Sequence, residues 1–119
     1  MKIVNKMEFY ALPKGTLYSD YSPYIFNDLK VKQSTIYDES KPIDFIYESL
    51  IGNIDADSSG HFVDMLDDAE KNKNSLPMDF ECSERDGLFE EEQLFAIYEK
   101  NDLEDFIKKL KSLRFVFSH

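Results

Sequence analysis

The 119-residue sequence is short of several things at once. It has one cysteine, no tryptophan, four glycines, four prolines and two histidines. The single cysteine, Cys82, excludes an internal disulfide framework of the kind small secreted domains carry. Two histidines, His61 and His119, leave no Cys/His spacing for a structural zinc site. So few glycines leave no phosphate cradle and no dinucleotide-binding fingerprint, and no cofactor is expected. No apolar run approaches the roughly 20 residues that span a bilayer. Lys6 and Glu8 break the opening stretch before it reaches signal-peptide length. Basic residues are also scarce, with 14 Lys and Arg against 24 Asp and Glu, a net charge of −10. That balance argues against direct contact with nucleic acid, whose phosphates need Lys and Arg, and against an anionic membrane surface. The expected setting is a reducing cytoplasm.

What is present is a foldable chain. Hydrophobic residues make up 42% and aromatics 14%, from ten Phe and seven Tyr. That excludes a disordered acidic tail, and the length fits one domain over residues 1–119. Ile3, Val4, Met7, Tyr10 and Ala11 have helical spacing over 3–11, stopped by Pro13. Thr16–Tyr18 is β-prone, and 19–23 reads as a turn. Residues 24–37 alternate around Leu29, Lys30, Val31 and Lys32 as a half-buried strand does, followed by the β-prone Ser34–Tyr37. Residues 43–51 fit either period and are assigned to a strand, rich in Phe45, Ile46, Tyr47 and Ile51. Ser58 or Ser59 caps a predicted helix over 60–73, with Phe62, Met65, Leu66 and Ala69 as its stripe. Leu94–Tyr98 is apolar on both faces, as in a central strand. A last helix over 102–114 begins at an Asn101/Glu104 capping box. Leu103, Phe106, Ile107, Leu110 and Leu113 form its stripe, and Glu104–Lys108 and Asp105–Lys109 its ion pairs. The predicted fold is α+β, with an antiparallel sheet of about four strands packed against two to three helices.

Charge is unevenly placed. Residues 1–42 have six Lys and five acids, net +1. Residues 43–99 have three Lys/Arg and sixteen acids, net −13, and residues 100–119 have five Lys/Arg and three acids, net +2. The acidic middle predicts a localised negative surface that attracts a basic partner. Its candidate residues are Asp64, Asp67, Asp68, Glu81, Glu84, Glu90, Glu91 and Glu92. The same acids would also serve as the wet side of one helix and its loops.

Three other constellations touch on chemistry. Asp55, Asp57 and Ser59, with Gly60 at the sixth position, match the opening of a calcium loop. The twelfth position is Leu66, where the bidentate Glu belongs, so a helix start is the better account of these oxygens. Cys82 and His61 are the only material for a nucleophilic dyad, and surrounding acids push a thiol away from its reactive thiolate. Finally, Tyr18, Tyr21 and Tyr24 with Lys30, Lys32 and Arg85 offer stacking faces and cations that would clamp a nucleotide, in a pocket framed by a homodimer. Partly buried tyrosines at the edge of a core explain the first three as well.

Leu12–Tyr18, Arg85–Phe89 and Gln93–Glu99 together resemble a family of small uncharacterised acidic proteins encoded by bacterial phages and other mobile elements. The resemblance implies a bacterial host cell and no particular functional residue. It implies an inhibitor of a host defence protein, acting by nucleic-acid mimicry or by sequestering a signalling nucleotide of the cyclic or ADP-ribose type. Composition and resemblance together give the expected function: a non-enzymatic binder whose acidic face docks on a basic, nucleic-acid-binding surface of a host protein. The alternative is a small-molecule sponge.

Overall fold

A computed structural model describes residues 1–113. The described residues form β1 (Lys2–Asn5), α1 (Lys6–Tyr10), β2 (Leu17–Ser22), β3 (Ile25–Asp38), β4 (Lys41–Ser49), α2 (Ser59–Asn72), β5 (Ser83–Arg85), β6 (Leu94–Ile97) and α3 (Lys100–Ser112). All six strands join one antiparallel sheet in the order β1-β6-β2-β3-β4-β5. The α+β class is as expected, but the sheet has six strands rather than about four.

The two extra strands have identifiable causes. The helical spacing over 3–11 is split: Lys2–Asn5 pairs with β6, and only five residues turn into helix. The switch occurs at a capping box, where Asn5 accepts the Glu8 N–H at 2.9 Å and Glu8 accepts the Asn5 N–H at 3.2 Å. β5 is three exposed residues added at the edge of β4, short enough to carry no alternating pattern. The predicted turn over 19–23 also changes. Ser19–Ser22 continues β2, and the loop is Pro23–Tyr24, with Tyr24 left-handed at φ 68°. Ser19 tolerates burial because its hydroxyl meets the Asp28 carbonyl at 2.6 Å and the Tyr98 hydroxyl at 2.7 Å. The pieces read at 24–37 and 34–37 are one 14-residue strand, bulged between Lys32 and Thr35. Its hairpin to β4 turns on Glu39 and Ser40, both at positive φ, as a two-residue I′ loop requires. The strand assignment of 43–51 holds over 43–49 as part of β4, with Leu50 and Ile51 outside it. β6 is an interior strand next to the β1 edge, with Phe95, Ala96 and Ile97 buried.

The core lies on the sheet face under α1, where Val4, Phe9, Tyr10, Tyr18, Phe45, Phe95 and Ile97 pack together. Phe9 is its centre, stacked on Phe95 at 3.9 Å and edge-on to Tyr18 at 4.7 Å and Phe45 at 4.8 Å. Lys32, 2% exposed, closes the base of this core. Its ammonium donates to the Leu12 carbonyl at 2.9 Å, the Gln33 carbonyl at 3.3 Å and the Thr35 hydroxyl at 2.8 Å.

The two long helices contribute little to burial. Neither α2 nor α3 has a buried residue, although both were read as packed against the sheet. Ser58 caps α2 as expected, accepting the His61 N–H at 3.1 Å. α3 starts two residues earlier than predicted. Its capping box is Glu99 with Asp102, and the Met1 ammonium binds both carboxylates, at 3.0 and 2.6 Å. The salt bridge within α3 joins Lys100 and Glu104 at 3.9 Å rather than the two pairs expected. No described helix is long and apolar enough to cross a membrane.

Candidate functional site

Between β4 and β5 the chain leaves the sheet for residues 50–82, which contain eight acids and two Lys, net −6. The excursion folds back on itself through a bridge of Ile54 to Met78 and an Asp79 N–H to Asn53 carbonyl bond of 2.8 Å. That closure builds an open acidic cleft of about 610 Å³, lined by Asp55, Pro77, Met78, Asp79, Phe80 and Glu81. Asp79 holds the local turn by accepting the Glu81 N–H at 2.9 Å. Burial, then the charges of Asp79 and Glu84 close by in the chain and of Asp55 from across the Ile54–Met78 bridge, push the Cys82 thiol upward. The direction is opposite to that of a nucleophilic thiolate.

All eight acids assigned to the negative surface are exposed, yet they fall into separate groups. Asp64, Asp67 and Asp68 ride on α2. Asp68 is partly occupied, accepting Asn72 at 2.6 Å and Asn74 at 2.7 Å beside the left-handed Lys73 that ends the helix. Glu81 lines the cleft, and Glu84 on β5 accepts the Tyr47 hydroxyl at 3.0 Å. Glu90 and Glu91 lie beside α1, where Lys6 donates to the Glu90 backbone carbonyl at 2.9 Å, and Glu92 is exposed next to them. Glu91 lines a 400 Å³ groove with Lys6, Tyr10, Lys41 and Phe89. Sequence reading missed Asp79, Met78 and Phe80 as members of the site and placed Asp55 only in a calcium loop. No local signal marked them, since isolated exposed apolar residues such as Met78 and Phe80 are common along this chain.

The six residues of the nucleotide-clamp reading meet only in pairs, Tyr18 opposite Lys30 across β2 and β3 and the Tyr24 N–H on the Tyr21 hydroxyl at 3.2 Å, and do not form one clamp. Tyr18 is in the core. Lys30 is buried, paired with Asp20 at 2.6 Å and seated over the Tyr47 ring at 4.3 Å. Lys32 is spent on carbonyls as described. Tyr21 packs on Phe26, whereas Tyr24 is 93% exposed at the hairpin loop. Arg85 pairs with Asp44 on the far edge.

Asp44, 1% exposed, is the buried acid among the described residues, whose buried cations are Lys6, Lys30 and Lys32. Burial alone would raise its carboxyl, but Arg85 and the N–H groups of Phe45 and Gly87 outweigh that and hold it below the usual carboxylate range. Asp86 goes the other way, pushed up by burial against bonds from Leu88 and Gln93. Among the described residues, no three Asp, Glu, His or Cys side chains could hold a metal ion together, so Asp55 and Asp57 gain no third such ligand. Asp57 and Ser58 instead start α2, the Asp57 N–H donating to His61 Nδ1 at 3.0 Å. No protein-family model, curated protein or solved structure matches the chain.

Proposed function

We propose that the protein is a non-enzymatic binding protein that docks its acidic excursion on a basic surface of another protein. The observation that carries this reading is the composition of the cleft. Asp55, Asp79 and Glu81 surround Met78 and Phe80, which expose about half of their surface, with Ile51 also exposed. An apolar patch rimmed by charge is the anatomy of a protein interface, where apolar anchors supply affinity and the rim supplies orientation and on-rate. The finer reading takes the partner to be a nucleic-acid-binding protein of a bacterial host, its groove lined with Lys and Arg that the carboxylates engage in place of phosphates. A cytoplasmic location and a phage-borne inhibitor of host defence belong to this same proposal. The sponge reading has less support, because the structure commits Lys30 and Lys32 to internal partners.

Immobilised protein should retain a defined partner from bacterial lysate at low salt and release it as salt rises, since exposed charges are screened within about 10 Å at 0.1 M. The triple variant Asp55→Lys, Asp79→Lys, Glu81→Lys should abolish retention, and Phe80→Ala should weaken it at every salt concentration. Retention that ignores both salt and these substitutions refutes the proposal.

A further inference from the structure

Helix α3 carries an apolar stripe that the described fold leaves open. Leu103, Phe106, Ile107, Leu110 and Leu113 are each 40–52% exposed. The stripe runs into a groove of about 610 Å³, where Phe106 shares the lining with Leu17, Phe26, Leu29 and Tyr98 of the sheet. Five adjoining half-exposed apolar side chains make the kind of patch that on a monomer is often functional. Charge along the helix indicates what fits it. Helical periodicity puts Asp102, Asp105 and Lys109 on one flank of the stripe, the side of the groove, and Lys100, Glu104 and Lys111 on the other. Asp102 is already engaged by the Met1 ammonium at 2.6 Å. Glu104 and Asp105 sit beyond the first turn, where the macrodipole no longer accounts for acids. Glu104 does approach Lys100, but both side chains are well exposed and the pair is long, at 3.9 Å.

We propose that α3 pairs antiparallel with α3 of a second copy, about a two-fold axis passing between Phe106 and Ile107. In that arrangement Leu103 lies level with the partner's Leu110, and Phe106 with the partner's Ile107. Antiparallel helices bring like flanks together. Asp105 therefore meets the partner's Lys109, and Glu104 meets the partner's Lys111, each pair occurring twice by symmetry. A parallel pairing brings opposite flanks together. It would set Asp105 against the partner's Glu104, and Lys109 against the partner's Lys111. The surface is thus self-complementary in the sense a two-fold interface demands, and the groove residues beside Phe106 extend the area toward what a stable dimer needs.

Sedimentation velocity over a concentration series tests this. The wild-type protein should dimerise, and Phe106→Glu with Leu110→Glu should give a monomer with an unchanged circular dichroism spectrum. Lys109→Glu with Lys111→Glu should weaken the dimer about tenfold or more. Mixing that variant with Glu104→Lys, Asp105→Lys should restore association as a heterodimer. In a Cys82→Ser background, Leu103→Cys mixed with Leu110→Cys should oxidise to the crossed dimer. A wild-type monomer at all concentrations, a dimer indifferent to the stripe substitutions, or preferential cross-linking of Leu103→Cys to itself overturns the proposal.

Discussion

Phe9 carries a heavy share of this fold's stability, and its truncation makes the sharpest test of the core. α1 has only five residues, yet Phe9 is fully buried and contacts the rings of Phe95, Tyr18 and Phe45 from three strands. Replacing a buried Phe by Ala costs about 3–5 kcal/mol, because the transfer energy is lost and a cavity remains. A domain of this size has a total stability of about 5–15 kcal/mol. Phe9→Ala should therefore remove about a fifth of it or more, and Tm should fall by roughly 15 °C. Urea denaturation followed by circular dichroism gives the number directly, from the shift in midpoint at constant slope. Met7→Ala is the control: it lies on the same helix, is 65% exposed, and should change stability by less than about 0.5 kcal/mol. Phe9→Leu should fall between the two. If Phe9→Ala costs less than about 1.5 kcal/mol, α1 is not the cover of this core and the assignment of the buried face is wrong.

Two other predictions concern buried titratable groups. Burial pushes the hydroxyls of Tyr10, Tyr18 and Tyr47 above their ordinary value, aided in each case by nearby carboxylates. Above about pH 10 the unfolded chain loses these protons before the folded one does, so stability should fall with rising pH. Tyrosinate absorbance should then show fewer than the seven tyrosines titrating until the protein unfolds, and full titration in the intact fold would refute this. Asp44→Ala should cost about 1–3 kcal/mol, because it leaves the N–H groups of Phe45 and Gly87 without their acceptor, while Arg85, about half exposed, stays hydrated. The folded Asp44 carboxyl titrates below its ordinary value, so its contribution is present above the unfolded value of about 3.9 and is lost as pH falls through the lower folded one. The gap between wild type and variant in urea should be full at neutral pH and shrink in acid.

Much of the fold can be read in the residues, and the exceptions are physical. Alternation marks β3, whereas β4 fits either period and is assigned from its β-prone residues. β6 is marked by being apolar on both faces, as its consecutive buried residues show. Periodicity missed β1, whose Ile3 and Val4 continue smoothly into the helical spacing of Met7 and Tyr10, so only the cap at Asn5 marks the change. It missed β5, which exists because the edge of β4 is available to pair with. The helices α2 and α3 lay close to their predicted positions, but periodicity reports only that one side is apolar. Whether that side meets the sheet depends on where the loops aim the helix, and here all five stripe residues of α3 remain exposed. At the candidate site, exposure of the acids was legible from composition. Their grouping was not, because the Ile54–Met78 bridge that brings Asp55 beside Asp79 and Glu81 is a non-local backbone contact with no local signature.

The strand order has a consequence for how the chain comes together. β2, β3 and β4 are successive neighbours and can pair as soon as they exist, but β1 has no partner until β6 arrives roughly ninety residues later. During synthesis, then, Phe9 and Tyr18 wait without Phe95, and one edge of β2 stays unpaired while most of the chain is made. The three-stranded meander forms early and locally. Closure by β6 is the late, cooperative step, and until then the nascent chain presents an aromatic face and an open β-edge that favour self-association.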